Sequence, residues 1–115
     1  MGAAVAAALA IAGCARTVTI GAGGTLRVAL TEYRVIPQDV RAHAGVLTLV
    51  VHNYGRLTHD LQISGHGLIE ASTGPLAPGG TAVIAVQLAA GDYTMSSSMP
   101  SDAALGAYGS LQVAP

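Results

Sequence analysis

Val46-Leu47-Thr48-Leu49-Val50-Val51-His52-Asn53-Tyr54-Gly55-Arg56-Leu57-Thr58-His59-Asp60-Leu61-Gln62-Ile63 reads as strand, turn, strand. Leu47, Leu49 and Val51 share one side of an extended chain, with Thr48 and His52 on the other. Asn53-Tyr54-Gly55 is a turn signal. Alternation then resumes, with His59, Leu61 and Ile63 on one side and Asp60 and Gln62 on the other. A period of two on both sides of a short turn is the mark of half-buried β structure.

Outward from this stretch the same pattern repeats. Thr25–Thr31 reads as a strand, continued less regularly over Glu32–Pro37, where proline ends it. Asp39–Ala44 is a strand before a Gly45 turn. Pro78-Gly79-Gly80 turns into the strand Thr81–Leu88, and Gly91–Ser97 and Ala107–Val113 are the last two. Residues Gly65–Pro78 read as irregular. From Thr25 onward no segment carries a 3.6-residue apolar period. About seven or eight short strands separated by regular turn signals predict an all-β, Greek-key sandwich.

The composition agrees. The 115 residues suffice for one domain. Glycine is abundant, at 15 residues, and the four aromatic residues are all tyrosine. All five cations are arginine: Arg16, Arg27, Arg34, Arg41 and Arg56. They are scattered, and the formal net charge is −1. A nucleic-acid binder needs clustered positive charge, so that class is set aside. The single cysteine, Cys14, excludes an intrachain disulfide.

Residues 2–13 are uniformly small and apolar. They are too few to span a bilayer, which takes about 20 such residues. They fit the apolar region of a secretory signal. The run ends in Ile11-Ala12-Gly13-Cys14, which resembles the bacterial lipobox. That resemblance implies a signal peptide over 1–13 and a lipidated Cys14. It further implies a chain tethered to the extracytoplasmic face of a bacterial cytoplasmic membrane. Residues 14–24 then form the lipidated cysteine and its tether, with Thr17–Ile20 as an alternative edge strand. The domain proper is expected over 25–115.

Three stretches carry a second resemblance. Asn53 to Ile63 resembles the cupredoxin segment in which an Asn-x-Gly turn leads to the first copper-binding histidine. Pro78-Gly79-Gly80 with Leu88–Thr94 resembles the two strands before that family's metal loop. Gly106–Val113 resembles its closing strand. The family's loop typically reads Cys-x-x-Pro-Gly-His-x-x-x-Gly-Met-x-Gly. Here it reads Ser97-Ser98-Met99-Pro100-Ser101-Asp102-Ala103-Ala104-Leu105-Gly106-Ala107-Tyr108-Gly109. Pro100, Gly106 and Gly109 match. Ser97 stands at the cysteine position, Asp102 at the second histidine and Ala107 at the axial methionine. Of four ligands the resemblance implies, His59 alone remains. Parity puts His59, Ser97 and Ala107 on the inward side of their strands, in phase with Leu61, Tyr93 and Leu111.

A blue-copper centre is two imidazoles and a thiolate with a weak axial donor. A serine hydroxyl is a hard donor that stays protonated near neutral pH. The resemblance therefore implies a cupredoxin-like domain without the type 1 site, acting as a binding or structural module, with no cofactor expected. His59 is expected to be half-buried and bonded to backbone or to Asp102. The competing reading is a copper-binding or copper-delivery protein with a rebuilt site at His59, Met95 and Met99, since thioethers suit Cu(I). Against it, Met95 reads as a core filler and Met99 as a loop residue. Asp102 with His59 offers two donors for Zn²⁺ or Cu²⁺, fewer than the usual three or four. His43, His52 and His66 read as surface residues.

Ser97, His59 and Asp102 invite a hydrolase reading. A triad needs the imidazole between serine and carboxylate. All three converge instead on one former metal position, and no enzyme activity is expected. Tyr54 and Tyr108 fall near one end of the sandwich. The resemblance implies that protein partners dock at that end, around the metal loop, where tyrosines could anchor one. Ordinary surface exposure is the commoner reading of such residues.

Overall fold

The computed structural model describes residues 17–115. Within the described residues, ten strands and one helical turn follow in chain order. They are β1 (Thr17–Thr19), β2 (Thr25–Thr31), β3 (Arg34–Ile36), β4 (Asp39–His43) and β5 (Gly45–Asn53). Then come β6 (Gln62–Gly65), β7 (Leu68–Ser72), β8 (Thr81–Leu88), β9 (Gly91–Ser96), α1 (Asp102–Leu105) and β10 (Tyr108–Ala114). They form a six-stranded sheet, β1-β4-β10-β9-β6-β7, and a four-stranded sheet, β3-β2-β5-β8. The expected all-β sandwich is the fold.

Its core is the alternation read in the sequence. Leu26, Val28 and Leu30 of β2 and Leu47, Leu49 and Val51 of β5 are buried from one sheet. Val40, Met95, Leu111 and Val113 meet them from the other. Each fully buried aliphatic side chain contributes about 1.5–3 kcal/mol of transfer free energy, so this layer dominates the stability.

Five local expectations change. Glu32–Pro37 does not continue β2: the chain turns at Glu32–Tyr33 and returns antiparallel as β3. Residues 65–78 are not wholly irregular: β6 and β7 form an antiparallel hairpin with a bulge between Ile63 and Ser64. The strand β7 escaped notice because its apolar residues, Leu68 and Ile69, face solvent on a sheet edge and give no inward alternation. Thr17–Thr19 pairs in parallel with Asp39–Arg41, so the described part of the expected tether includes the alternative edge strand. The ladder of β6 begins at Gln62; His59 makes only an isolated bridge with Leu76. Strand parity therefore fails at Asp60, which is buried although alternation put it outside. Finally, the loop before β10 contains α1, one turn too short to show a helical period.

The register defines two ends. Tyr108 of β10 pairs with Ser96 of β9, and Val113 with Gly91. Asn53 ends β5, and Thr31 ends β2 beside Arg34. The turn after β2, the loop 54–61 and the loop 97–107 thus gather at one end of the sandwich.

Candidate functional site

Asn53 anchors this end from below. It is fully buried, and its amide donates to the carbonyls of Leu57 (2.8 Å) and Leu76 (2.9 Å). Its Oδ1 accepts from the Gly55 N–H at 2.8 Å, an Asx-turn that fixes the path toward His59. Gly55 has to lack a side chain there. A Cβ would collide with the Glu32 carboxylate and lie 3.0 Å from His59 Nε2.

His59 is buried and held on both edges of its ring. Its Nδ1 bonds Asp102 Oδ2 at 2.6 Å. Its Nε2 pairs with Glu32 Oε2. Tyr33 packs edge-on, with ring centroids 6.2 Å apart. Burial alone would push the imidazole pKa down, but the bonds to Asp102 and Glu32 and their negative charges outweigh it and hold it above 6.5. Glu32 is pulled below its ordinary 4.5, chiefly by the Arg56 backbone N–H and then by His59. The Arg56 N–H donates to both its oxygens, at 2.8 and 3.0 Å.

The network continues inward from Asp102. Ser97 Oγ donates to Asp102 Oδ2 at 2.6 Å. Asp60 in turn accepts from the Ser98 N–H and the Ser98 hydroxyl, both at 2.5 Å. Asp60 Oδ1 also lies 3.2 Å from Ser97 Oγ. Among the described residues no buried side-chain polar atom lacks a partner, which is what a buried charged cluster requires to be tolerable.

Three of the four positions aligned with copper ligands thus meet in this network, and Ala107 is buried beside Ser97, whose N–H bonds its carbonyl at 3.0 Å. His59 bonds Asp102, as expected, though it is fully rather than half buried. Met95 lies in the core cluster and Met99 on the half-exposed loop. His43 and His66 are exposed; His52 is half-buried, bonded to Thr81 at 2.5 Å and packed on Tyr54. Tyr54 and Tyr108 are exposed at this end. Cys14 and the signal-like residues 1–13 lie outside the described residues.

Sequence reading missed Glu32 and Asp60. Glu32 sits where the alternation of β2 breaks down. The signal available was its charge, in a chain with only six acidic residues. Asp60 gave none, because parity pointed it outward.

The loop glycines have structural reasons of their own. A Cβ on Gly109 would collide with the Gln38 backbone, and Gly106 has φ +124° with Tyr33 O 2.9 Å from where its Cβ would be.

No family sequence model matches the chain, and no curated protein sequence does either. Solved structures do. Dithionite-reduced auracyanin from the photosynthetic bacterium Roseiflexus castenholzii is 23% identical, with a TM-score of 0.74 over 83% of this chain and 100% of that one. The fold is that of the cupredoxins. Reduced rusticyanin superposes on this cupredoxin frame with a TM-score of 0.67 at 22% identity, over 84% of this chain and 83% of its own. Auracyanin A, described as a "blue" copper protein from Chloroflexus aurantiacus, does so at 0.65 and 15%, over 85% of this chain and 99% of its own.

Copper is the ion named for a neighbour on this frame, and the donors of this chain are arranged otherwise. Both ring nitrogens of His59 face carboxylates, on opposite edges, so Glu32 and Asp102 cannot converge with it on one ion. Among the described residues no group of three or more His, Cys, Asp or Glu is arranged to hold a metal. Ser97 offers a hydroxyl already donating to Asp102, and Ala107 offers a methyl. These donors do not fit a blue-copper centre. The order along the chain of bonds is Ser97–Asp102–His59–Glu32, with the carboxylate between serine and imidazole, which is not the serine–imidazole–carboxylate order of a triad.

Proposed function

We propose that this chain is a lipid-anchored, extracytoplasmic cupredoxin-like module whose type 1 copper site has been replaced by its own side chains. It works by binding through its loop end, not by redox or hydrolytic chemistry. The observation that carries this is the clamp on His59: the one retained ligand residue is bonded at both nitrogens by carboxylates. A cation-binding imidazole needs a free lone pair, and a doubly hydrogen-bonded imidazolium has none. The lipobox-like Ile11–Cys14 supports export and anchoring at the outer face of a bacterial cytoplasmic membrane.

The test is a Cu(I) and Cu(II) titration of the lipidated chain beside its His59→Ala variant. The expected result is no binding tighter than about micromolar, roughly 8 kcal/mol, and no difference between the two. Tight binding that disappears with His59→Ala would establish the competing copper-delivery reading with Met95 and Met99.

A further inference from the structure

The direction in which the chain enters β1 fixes which end of the domain lies near its anchor. Thr17 pairs with Asp39, and Asp39 pairs with Ser110, both in parallel. Strand β10 begins at Tyr108, at the loop end, and runs away from it. Strand β1 therefore also runs away from the loop end, and its first residue, Thr17, is the one nearest that end. Only two residues separate Cys14 from Thr17 in the sequence, three Cα steps and a reach of at most about 11 Å. Ala114, at the far end of β10, lies four strand residues beyond the level of Thr17, about 13 Å in the opposite direction.

The same end presents what a bilayer surface accepts. Tyr54, Leu57, Leu105 and Tyr108 are each at least half exposed. They sit on the loop 54–61, on α1 and at the start of β10. Tyrosine is favoured at the headgroup level, where one edge is apolar and the other wet. The carboxylates of this end are withdrawn: Asp60 and Asp102 are buried, Glu32 is paired with His59, and Asp39 accepts from Ser110 at 2.8 Å. Among the described residues its exposed charges are Arg34 and Arg56, and cations near an anionic leaflet are attracted to it.

We propose that the loop end is seated on the bilayer that holds the lipid, with Tyr54, Leu57, Leu105 and Tyr108 in the interface and Arg34 and Arg56 against anionic headgroups. This rests on the lipid-anchor reading of Cys14. The occupant of the exposed patch is then a phospholipid surface and not a protein.

The chain has no tryptophan, so a single introduced one reports position. Tyr108→Trp marks the loop end and Ala90→Trp, on the exposed turn before β9, marks the opposite one. The full lipidated chain is reconstituted into vesicles of equimolar phosphatidylcholine and phosphatidylglycerol with brominated acyl chains. Mass spectrometry first establishes lipidation, and circular dichroism the fold. Quenching several-fold stronger at Tyr108→Trp than at Ala90→Trp is expected, with Tyr54→Trp behaving like the former. Equal, weak quenching on a lipidated chain overturns the seating and leaves the anchor standing. Shielding seen only in native membranes, not in the vesicles, overturns it in favour of a protein partner. A chain exported without lipid overturns both.

Discussion

Leu49 and His59 are equally buried, at 0% and 1% exposure, yet their surroundings are opposite. Leu49 is wrapped by aliphatic side chains from both sheets. His59 is wrapped by carboxylates, backbone and one tyrosine edge. The first environment is non-directional and repeats along the strands that build the core. The second is directional, with each polar atom assigned a partner. Apolar burial supplies the stability that lets the loop end keep several ionisable groups out of water, where pairing seldom gains more than it costs. The loops of this end stay in place because the charged cluster cross-links them: Glu32 from the turn after β2, His59 and Asp60 from the loop 54–61, Ser97 and Asp102 from the loop before β10.

If this division is right, Leu49→Ala has the largest effect. It removes about 2–5 kcal/mol of unfolding free energy, read by denaturant melts, and leaves the environment of His59 unchanged by NMR. Asp102→Ala comes next. It leaves His59 Nδ1 without its partner, at about 1–3 kcal/mol, and it should loosen residues 97–107 in hydrogen exchange while the strands stay protected. Equal loss of protection in both regions would break the comparison.

The pH dependence is smaller and belongs to the loop end alone. His59 has a folded pKa above 6.5, so its contribution is complete below about pH 6.5 and fades as pH rises through the folded value. Glu32 has a folded pKa below 4.5, so its contribution is complete above about pH 4.5 and fades as pH falls through its folded value. Both are present between those limits, and stability should peak there and decline toward alkaline pH. Gly55→Ala sharpens the point with the smallest expected change. Its Cβ takes the place of the Glu32 carboxylate end, and the alkaline decline should flatten, because Glu32 no longer helps keep His59 protonated.

The same contrast explains what was legible in the sequence. Alternation is a local signal, so β2, β5, β8 and β10 could be read residue by residue. The edge strand β7 could not, because a strand that buries little carries little pattern. The positions Ser97, Asp102 and Ala107 were reached through the family resemblance, and parity put Ser97 and Ala107 inward. The bond from Ser97 to Asp102 and the clamp by Glu32 depend on tertiary placement. Glu32 and His59 are 27 residues apart, and no spacing rule links them. Asp60 shows the limit of parity, which holds only while a ladder continues.

The most direct measurement of the central claim is a ¹⁵N NMR titration of the His59 imidazole in the lipidated chain, with and without copper. An imidazolium protonated on both nitrogens, titrating above 6.5 and unmoved by copper, is the predicted result. A ring that is neutral at pH 6.5, or whose nitrogen resonances shift or broaden at the first equivalent of copper, would contradict it.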